Sequence, residues 1–121
     1  MILGVGLDLI DVARVERAIQ KQHFLERIYS EEERLHIAER GAETAAGYFA
    51  AKEAVAKALG TGFRGFCMWD ISIHTDEMGR PEAVLSRGAL SRLEALGGTL
   101  NISITHSGGF AAAVAILSRD E

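Results

Sequence analysis

Two acids in this chain stand in surroundings that could do chemistry. Asp8 closes the apolar run from Ile2 to Leu7, in Gly4-Val5-Gly6-Leu7-Asp8. Glu53 lies inside the alanine-rich stretch Phe49-Ala50-Ala51-Lys52-Glu53-Ala54-Val55-Ala56-Lys57. At helical spacing Ala46, Phe49, Glu53, Lys57 and Gly60 share one face, and Tyr48, Lys52, Val55 and Leu59 share the opposite one. Both faces carry apolar residues, so the helix is expected to be buried on more than one side. A carboxylate there needs a compensating charge. Lys57 would supply it as an i, i+4 ion pair of about 0.2–0.5 kcal/mol; a metal ion would supply it equally. Asp8 likewise reads as a turn acid or as a metal ligand. The residues alone leave these alternatives open.

Magnesium takes oxygen ligands, keeps several waters, and is often held by one or two carboxylates plus substrate phosphates. Asp8, Glu53 and a diphosphate meet that need, with Lys57 one turn beyond to neutralise phosphate charge. Gly60-Thr61-Gly62 reads either as a plain helix stop or as a loop whose backbone amides approach a phosphate closely. His106, in Thr105-His106-Ser107, sits before a glycine turn. His23, His36 and His74 show no zinc-like spacing with cysteines or acids. The chain has no nucleophile elbow, P-loop or dinucleotide fingerprint. Cys67 has no local activating signal.

The elements that must position these residues read as follows. Ile2 to Leu7 is a strand. Asp11 caps a helix through about Gln22, with Val12, Val15 and Ile19 as its buried stripe. Ser30 and Glu33 form a capping box for a helix to about Arg40, stopped by Gly41. The alanine-rich helix runs from Glu43 to Leu59. After Trp69 the period becomes two: Ile71 and Ile73 alternate with Ser72 and His74, Glu77 to Arg80 turns, and Ala83 to Leu85 returns. Ser86 to Leu96 is a short helix stopped by Gly97-Gly98. Thr99 to Thr105 and Phe110 to Leu117 are the last two strands, joined by a turn at His106 to Gly109. A strand, then helices, then a mostly antiparallel meander predicts an α+β fold of antiparallel sheet packed against helices.

The chain's 121 residues suit one domain spanning 1–121. Its 48% hydrophobic and 25% charged content exclude disorder and collagen-like structure. No apolar run reaches the roughly 18 residues that span a bilayer, so no membrane role is expected. The opening residues do not resemble a signal peptide, and the single cysteine forms no internal disulfide, so the expected location is the cytoplasm. A net charge of −4 disfavours nucleic acid. Ala13 to Ile28 is nevertheless locally basic, through Arg14, Arg17, Lys21 and Arg27, while Glu31 to Glu43 is acidic. The first stretch suits an acidic partner.

Taken together, these motifs resemble those of the holo-acyl-carrier-protein synthases, the small single-domain 4′-phosphopantetheinyl transferases. Gly4 to Asp11 resembles their opening motif, and Phe49 to Gly62 their central helix and loop. Gly79-Arg80-Pro81 resembles their hairpin turn, and Ile102 to Ser107 their penultimate strand. Order, spacing and length match across essentially the whole chain. The resemblance implies transfer of the 4′-phosphopantetheine arm of coenzyme A to a serine of apo-acyl-carrier protein, leaving adenosine 3′,5′-bisphosphate, in the service of fatty acid biosynthesis. It implies that Asp8 and Glu53 hold magnesium with the coenzyme A diphosphate. Lys57 and His106 would lie on the phosphates, beside Gly60, Thr61 and Gly62. The proton of the serine hydroxyl would go to a metal-organised water or to Glu53. The family is trimeric with sites between subunits, so a homotrimer is implied. Its first helix docks the acidic carrier helix. Here Arg14, Arg17 and Lys21 fall within about 60° on a helical wheel opposite the apolar stripe, and Phe24, Leu25 and Ile28 follow as apolar contacts. Two departures stand out: Tyr48 where arginine is frequent, and Ser107-Gly108-Gly109 where polar or charged residues are. Both bear on contacts to the nucleotide end.

Overall fold

The computed structural model describes residues 1–120. The expected α+β architecture is observed. Strand β1 (Ile2–Asp11) is followed by helices α1 (Val12–Ala18), α2 (Gln22–Ile28), α3 (Glu31–Arg40) and α4 (Ala42–Ala58). A 3₁₀ turn at Met68–Asp70 leads into the hairpin β2 (Ile71–Thr75) and β3 (Pro81–Leu85). Helix α5 (Arg87–Leu96) and strands β4 (Thr99–Ser107) and β5 (Phe110–Ser118) complete the chain. The larger sheet has the order β1-β5-β4, all antiparallel, and β2-β3 is a separate antiparallel pair.

Helix α4 lies against the inner face of the larger sheet. Ala111, Ala113, Ala115 and Leu117 of β5 point in and are buried, as period-two alternation dictates. They meet a helix whose own buried residues are mostly alanines, among them Ala45, Ala46, Ala50, Ala51, Ala54 and Ala58. Small side chains on both sides bring backbones close. A Cβ on Gly6 would sit 1.8 Å from the Ala54 carbonyl oxygen, and one on Gly4 would sit 2.0 Å from that of Ala58. Any larger residue at either position would push β1 off α4.

Three local expectations are corrected. Strand β1 does not end at Asp8; it continues to Asp11, which caps α1 by accepting from the Ala13 amide at 2.9 Å. The first helix does not reach Gln22. It stops at Ala18, and Lys21, the extended residue that opens α2, is outside it. A continuous helix would place Phe24 beside Arg17 on the polar face. The break instead lets Phe24 turn inward, stacked on Phe49 at 6.3 Å and edge-on to Tyr29 at 6.1 Å. Finally, Ile28 is buried in the core and takes no part in a docking face.

The α3 capping box forms as read, but Glu33 does more than cap. It is fully buried, and its Oε1 accepts from the Ser30 amide and from Lys52 Nζ, both at 2.7 Å. Its Oε2 accepts from the Ile73 amide at 2.7 Å. Lys52, also fully buried, donates further to the Met68 and Ile71 carbonyls. Burial pulls the Lys52 ammonium below its ordinary range while the Glu33 carboxylate pulls it back up. One ion pair thus ties α3, α4, the 3₁₀ turn and β2 together.

Candidate active site

Asp8 projects from β1 with its side chain mostly covered, and Glu53 projects half-buried from the middle of α4. Because β1 crosses α4 in backbone contact, the two carboxylates open into one cavity of about 480 Å³. Leu9, Ile10, Val15, Ala18, Phe24 and Phe49 supply its apolar wall, and Asp11 and Arg14 its rim. Lys57, one turn after Glu53, donates to the Leu7 carbonyl at 2.8 Å and approaches Asp8 Oδ1 at 3.4 Å. The i, i+4 ion pair with Glu53 does not form among the described residues: Lys57 pairs with Asp8 and acts on Glu53 only through its charge. Burial, then the neighbouring Asp8 carboxylate, push Glu53 above the usual carboxylate range, and Lys57 pulls the other way.

That electrostatic tension is the test of fit for a cation. Two carboxylates facing one cavity repel, and a divalent ion between them relieves the repulsion. Among the described residues no third histidine, cysteine, aspartate or glutamate joins them. A closed tetrahedral zinc site is therefore not built here, whereas a hard ion that retains waters and takes substrate oxygens suits the pair.

The other sequence-predicted residues are distributed as follows. Gly60 and Gly62 carry φ of +83° and +59°, and Thr61 Oγ1 donates to the Gly62 carbonyl at 3.2 Å. The loop follows Lys57 directly but does not line the carboxylate cavity. His106 lies on β4, exposed, with Nε2 2.8 Å from the Glu43 carbonyl. A carbonyl only accepts, so Nε2 carries the proton and Nδ1 is left as an acceptor in the neutral ring. Gly47 makes room for the imidazole, since a Cβ there would meet Nε2 at 3.0 Å. His106 lines a second pocket of about 260 Å³ with Glu43, Ser107, Gly108, Gly109 and Phe110. Within one chain it does not share the Asp8 and Glu53 cavity. Arg14 reaches that cavity's rim and Arg17 is exposed on α1. Lys21 is exposed beside them, though off the helix, and Phe24 is cavity wall rather than outward surface. Tyr48 is buried with its hydroxyl 2.9 Å from His36 Nδ1, so it faces α3.

Sequence reading missed the two glycines that set the strand-to-helix distance and the buried Lys52–Glu33 pair. The first had a signal: glycines two apart on a strand share one face, where a close approach needs them. The second had none, because Lys52 looks like any helix lysine until its surroundings are known.

A family model, the 4′-phosphopantetheinyl transferase superfamily, matches residues 4–115. The chain belongs to this superfamily. The stretch shared with other 4′-phosphopantetheinyl transferases takes in Asp8, Glu53, Lys57 and His106 alike. Among relatives, the holo-acyl-carrier-protein synthase of Clostridium acetobutylicum is 46% identical over 97% of this chain and 98% of its own. That of Fusobacterium nucleatum is 42% identical over 97% and 99%. Among solved structures, the Neisseria meningitidis synthase superposes with a TM-score of 0.88 at 35% identity, covering 98% of this chain and 100% of that one. The Helicobacter pylori synthase, solved in complex with coenzyme A, gives 0.83 at 33%, covering 94% and 99%. The transferase fold is therefore shared from end to end.

Proposed function

We propose that this chain is a holo-acyl-carrier-protein synthase. It transfers the 4′-phosphopantetheine group of coenzyme A to a serine of apo-acyl-carrier protein, releasing adenosine 3′,5′-bisphosphate. The observation that carries the reading is the carboxylate pair, Asp8 and Glu53, opening into one cavity with Lys57 beside it. Relatives named for this activity span nearly the whole chain, and one solved neighbour holds coenzyme A.

In the reaction the serine oxygen forms a bond to the pantetheine-bearing phosphorus. The bond from that phosphorus to the bridging oxygen breaks, and the electron pair leaves on adenosine 3′,5′-bisphosphate. Asp8 and Glu53 are the residues that would hold magnesium, which when bound supplies positive charge to the diphosphate. Lys57 stabilises charge on the phosphates and on the leaving group. The serine proton would pass to a metal-organised water or to Glu53. Arg14, Arg17 and Lys21 bring the acidic carrier helix to the cavity mouth. Most of the rate comes from positioning and charge stabilisation rather than from a covalent intermediate.

We further propose that the working unit is a homotrimer. Val5, Leu7 and Leu9 of β1 stand 59–64% exposed on the outer face of the sheet. Ala112, Val114 and Ile116 of β5 pair beside them. An apolar strip of this kind is unusual on a lone chain. Sites between subunits would bring His106 of one chain to the carboxylates of the next. Among the described residues no helix is long and apolar enough to cross a membrane.

Incubation with apo-acyl-carrier protein, coenzyme A and magnesium, followed by mass measurement of the carrier, tests the function. A gain of one phosphopantetheine is expected. No gain on any carrier, where a known transferase works, refutes it.

A further inference from the structure

We propose that Lys52 is a positioning residue for Glu53: its buried bonds fix the roll of α4 about its own axis, and so where the Glu53 carboxylate stands against Asp8. This rests on the carboxylate-site reading above. Lys52 and Glu53 are consecutive on α4, so their side chains leave the helix about 100° apart. One enters the core while the other opens into the cavity. An ammonium has three N–H donors, and here each has its own acceptor. They are Glu33 Oε1 on α3 at 2.7 Å, the Met68 carbonyl in the 3₁₀ turn at 3.1 Å, and the Ile71 carbonyl that opens β2. Glu33 is held in turn by the Ser30 and Ile73 amides. The Lys52 nitrogen is thereby triangulated from three elements, none of them β1.

The remaining contacts of α4 hold that roll less firmly. Against β1 the helix presents the backbone of Ala54 and Ala58 to Gly4 and Gly6, and against β5 alanine faces alanine. Such contacts set a distance, but side chains this short do not interlock. Of the other polar side chains of α4, Tyr48 has one partner, His36, and Lys57 is half-exposed on the Leu7 carbonyl. A buried ion pair adds little stability that apolar residues of similar volume would not. What apolar residues cannot supply is direction. A roll of about 10° at the roughly 5–6 Å radius of a helix side chain carries its end about 1 Å, and a shift of about 1 Å at a reacting centre costs on the order of 100-fold in rate.

The test uses the double variant Lys52→Met with Glu33→Gln, which leaves neither charge in the core, and Leu117→Ala as a destabilised control. Leu117 is fully buried on β5, four residues beyond the register partner of Asp8, and does not line the cavity. A second variant, Lys52→Arg, keeps a cation for Glu33 but sets the helix at a different reach. All are assayed well below their melting temperatures. Both Lys52 variants are expected to lower kcat and raise the half-saturating magnesium concentration, each about 10- to 100-fold in the double variant, the scale for losing a group that orients a metal ligand. The KM for the carrier should hardly move, and the control should keep wild-type values. If Lys52 only stabilises the fold, a folded Lys52 variant melts lower but keeps its kcat and magnesium response, and the proposal falls. It also falls if Leu117→Ala loses both to the same degree. If the wild type modifies no carrier, the transferase reading has failed separately. Crystal structures of the wild type and either folded Lys52 variant then decide: a Glu53 carboxylate displaced relative to Asp8 supports the role, and an unshifted one refutes it.

Discussion

Gly6→Ala should disconnect the two carboxylates without touching either. The new Cβ would sit 1.8 Å from the Ala54 carbonyl oxygen and 2.9 Å from the Ala58 nitrogen. Both are backbone atoms of α4, so no side chain can swing aside. An ordinary C···O contact is about 3.3 Å, so β1 must retreat from α4 by roughly 1.5 Å. Asp8 lies two residues along β1 and moves with it, while Glu53 stays on the helix. A misplacement of about 1 Å at a reacting centre costs on the order of 100-fold in rate, and overpacking costs about 1–3 kcal/mol of stability. The assay is the initial rate of carrier mass gain at saturating coenzyme A, with a magnesium titration and thermal unfolding alongside. The expected result is a folded but less stable protein, a rate about 100-fold lower, and a higher half-saturating magnesium concentration. Gly79→Ala is the control, at an open turn with φ of +84° and no neighbour within 4 Å; it should lose stability and keep its rate. A folded Gly6→Ala enzyme with wild-type rate and magnesium response would show that the backbone contact does not set the site.

Glu53→Gln should abolish transfer and raise the metal-free melting temperature at neutral pH. The folded-state pKa of Glu53 is raised, so the charged group costs stability once pH exceeds the ordinary carboxylate range. Stability is fuller below that range and declines as pH rises through it toward the folded pKa; a melting-temperature profile that is flat in this window, or identical in the variant, would contradict this. Lys52→Met should cost about 3–5 kcal/mol by leaving Glu33 buried and unpaired. Adding Glu33→Gln, which removes the buried charge but keeps an acceptor for only one of the Ser30 and Ile73 amides, should recover part of that loss, as urea midpoints will show. Arg14→Glu should raise the KM for the carrier and leave that for coenzyme A alone; an unchanged carrier KM removes Arg14 from the docking face. Light scattering at micromolar concentration should give three chains per particle, and Leu7→Arg on the exposed sheet face should give one.

Most of the fold was legible because its signals are local. The Ser30–Glu33 capping box, the Gly41 stop, the period of two at Ile71 and Ile73, and the alanine-rich helix each announce themselves within a few residues. The break after Ala18 was not legible. It is imposed by Phe24 packing on Phe49, a contact between α2 and α4 that no window around Gln22 contains. Asp8 and Glu53 could be singled out by surroundings, but their shared cavity depends on how closely β1 meets α4. Lys52 was hidden for the same reason: its partners Glu33, Met68 and Ile71 are distant in sequence. The separation of His106 from the carboxylate cavity likewise depends on which strand edge it occupies.

The alanines of α4 have a further consequence. An alanine has no rotamers to lose on burial, and it also returns little apolar area. A helix built this way is weakly gripped residue by residue, yet it has no slack. In a core of leucines, a side chain can change rotamer and let two elements drift by a fraction of an ångström. Here carbonyl oxygens of the helix lie against glycine α-carbons of the strand, and nothing between them can rearrange. Thermal motion can alter the gap between strand and helix only by moving one element bodily. The distance between Asp8 and Glu53 should therefore respond to mutation in steps rather than by degrees.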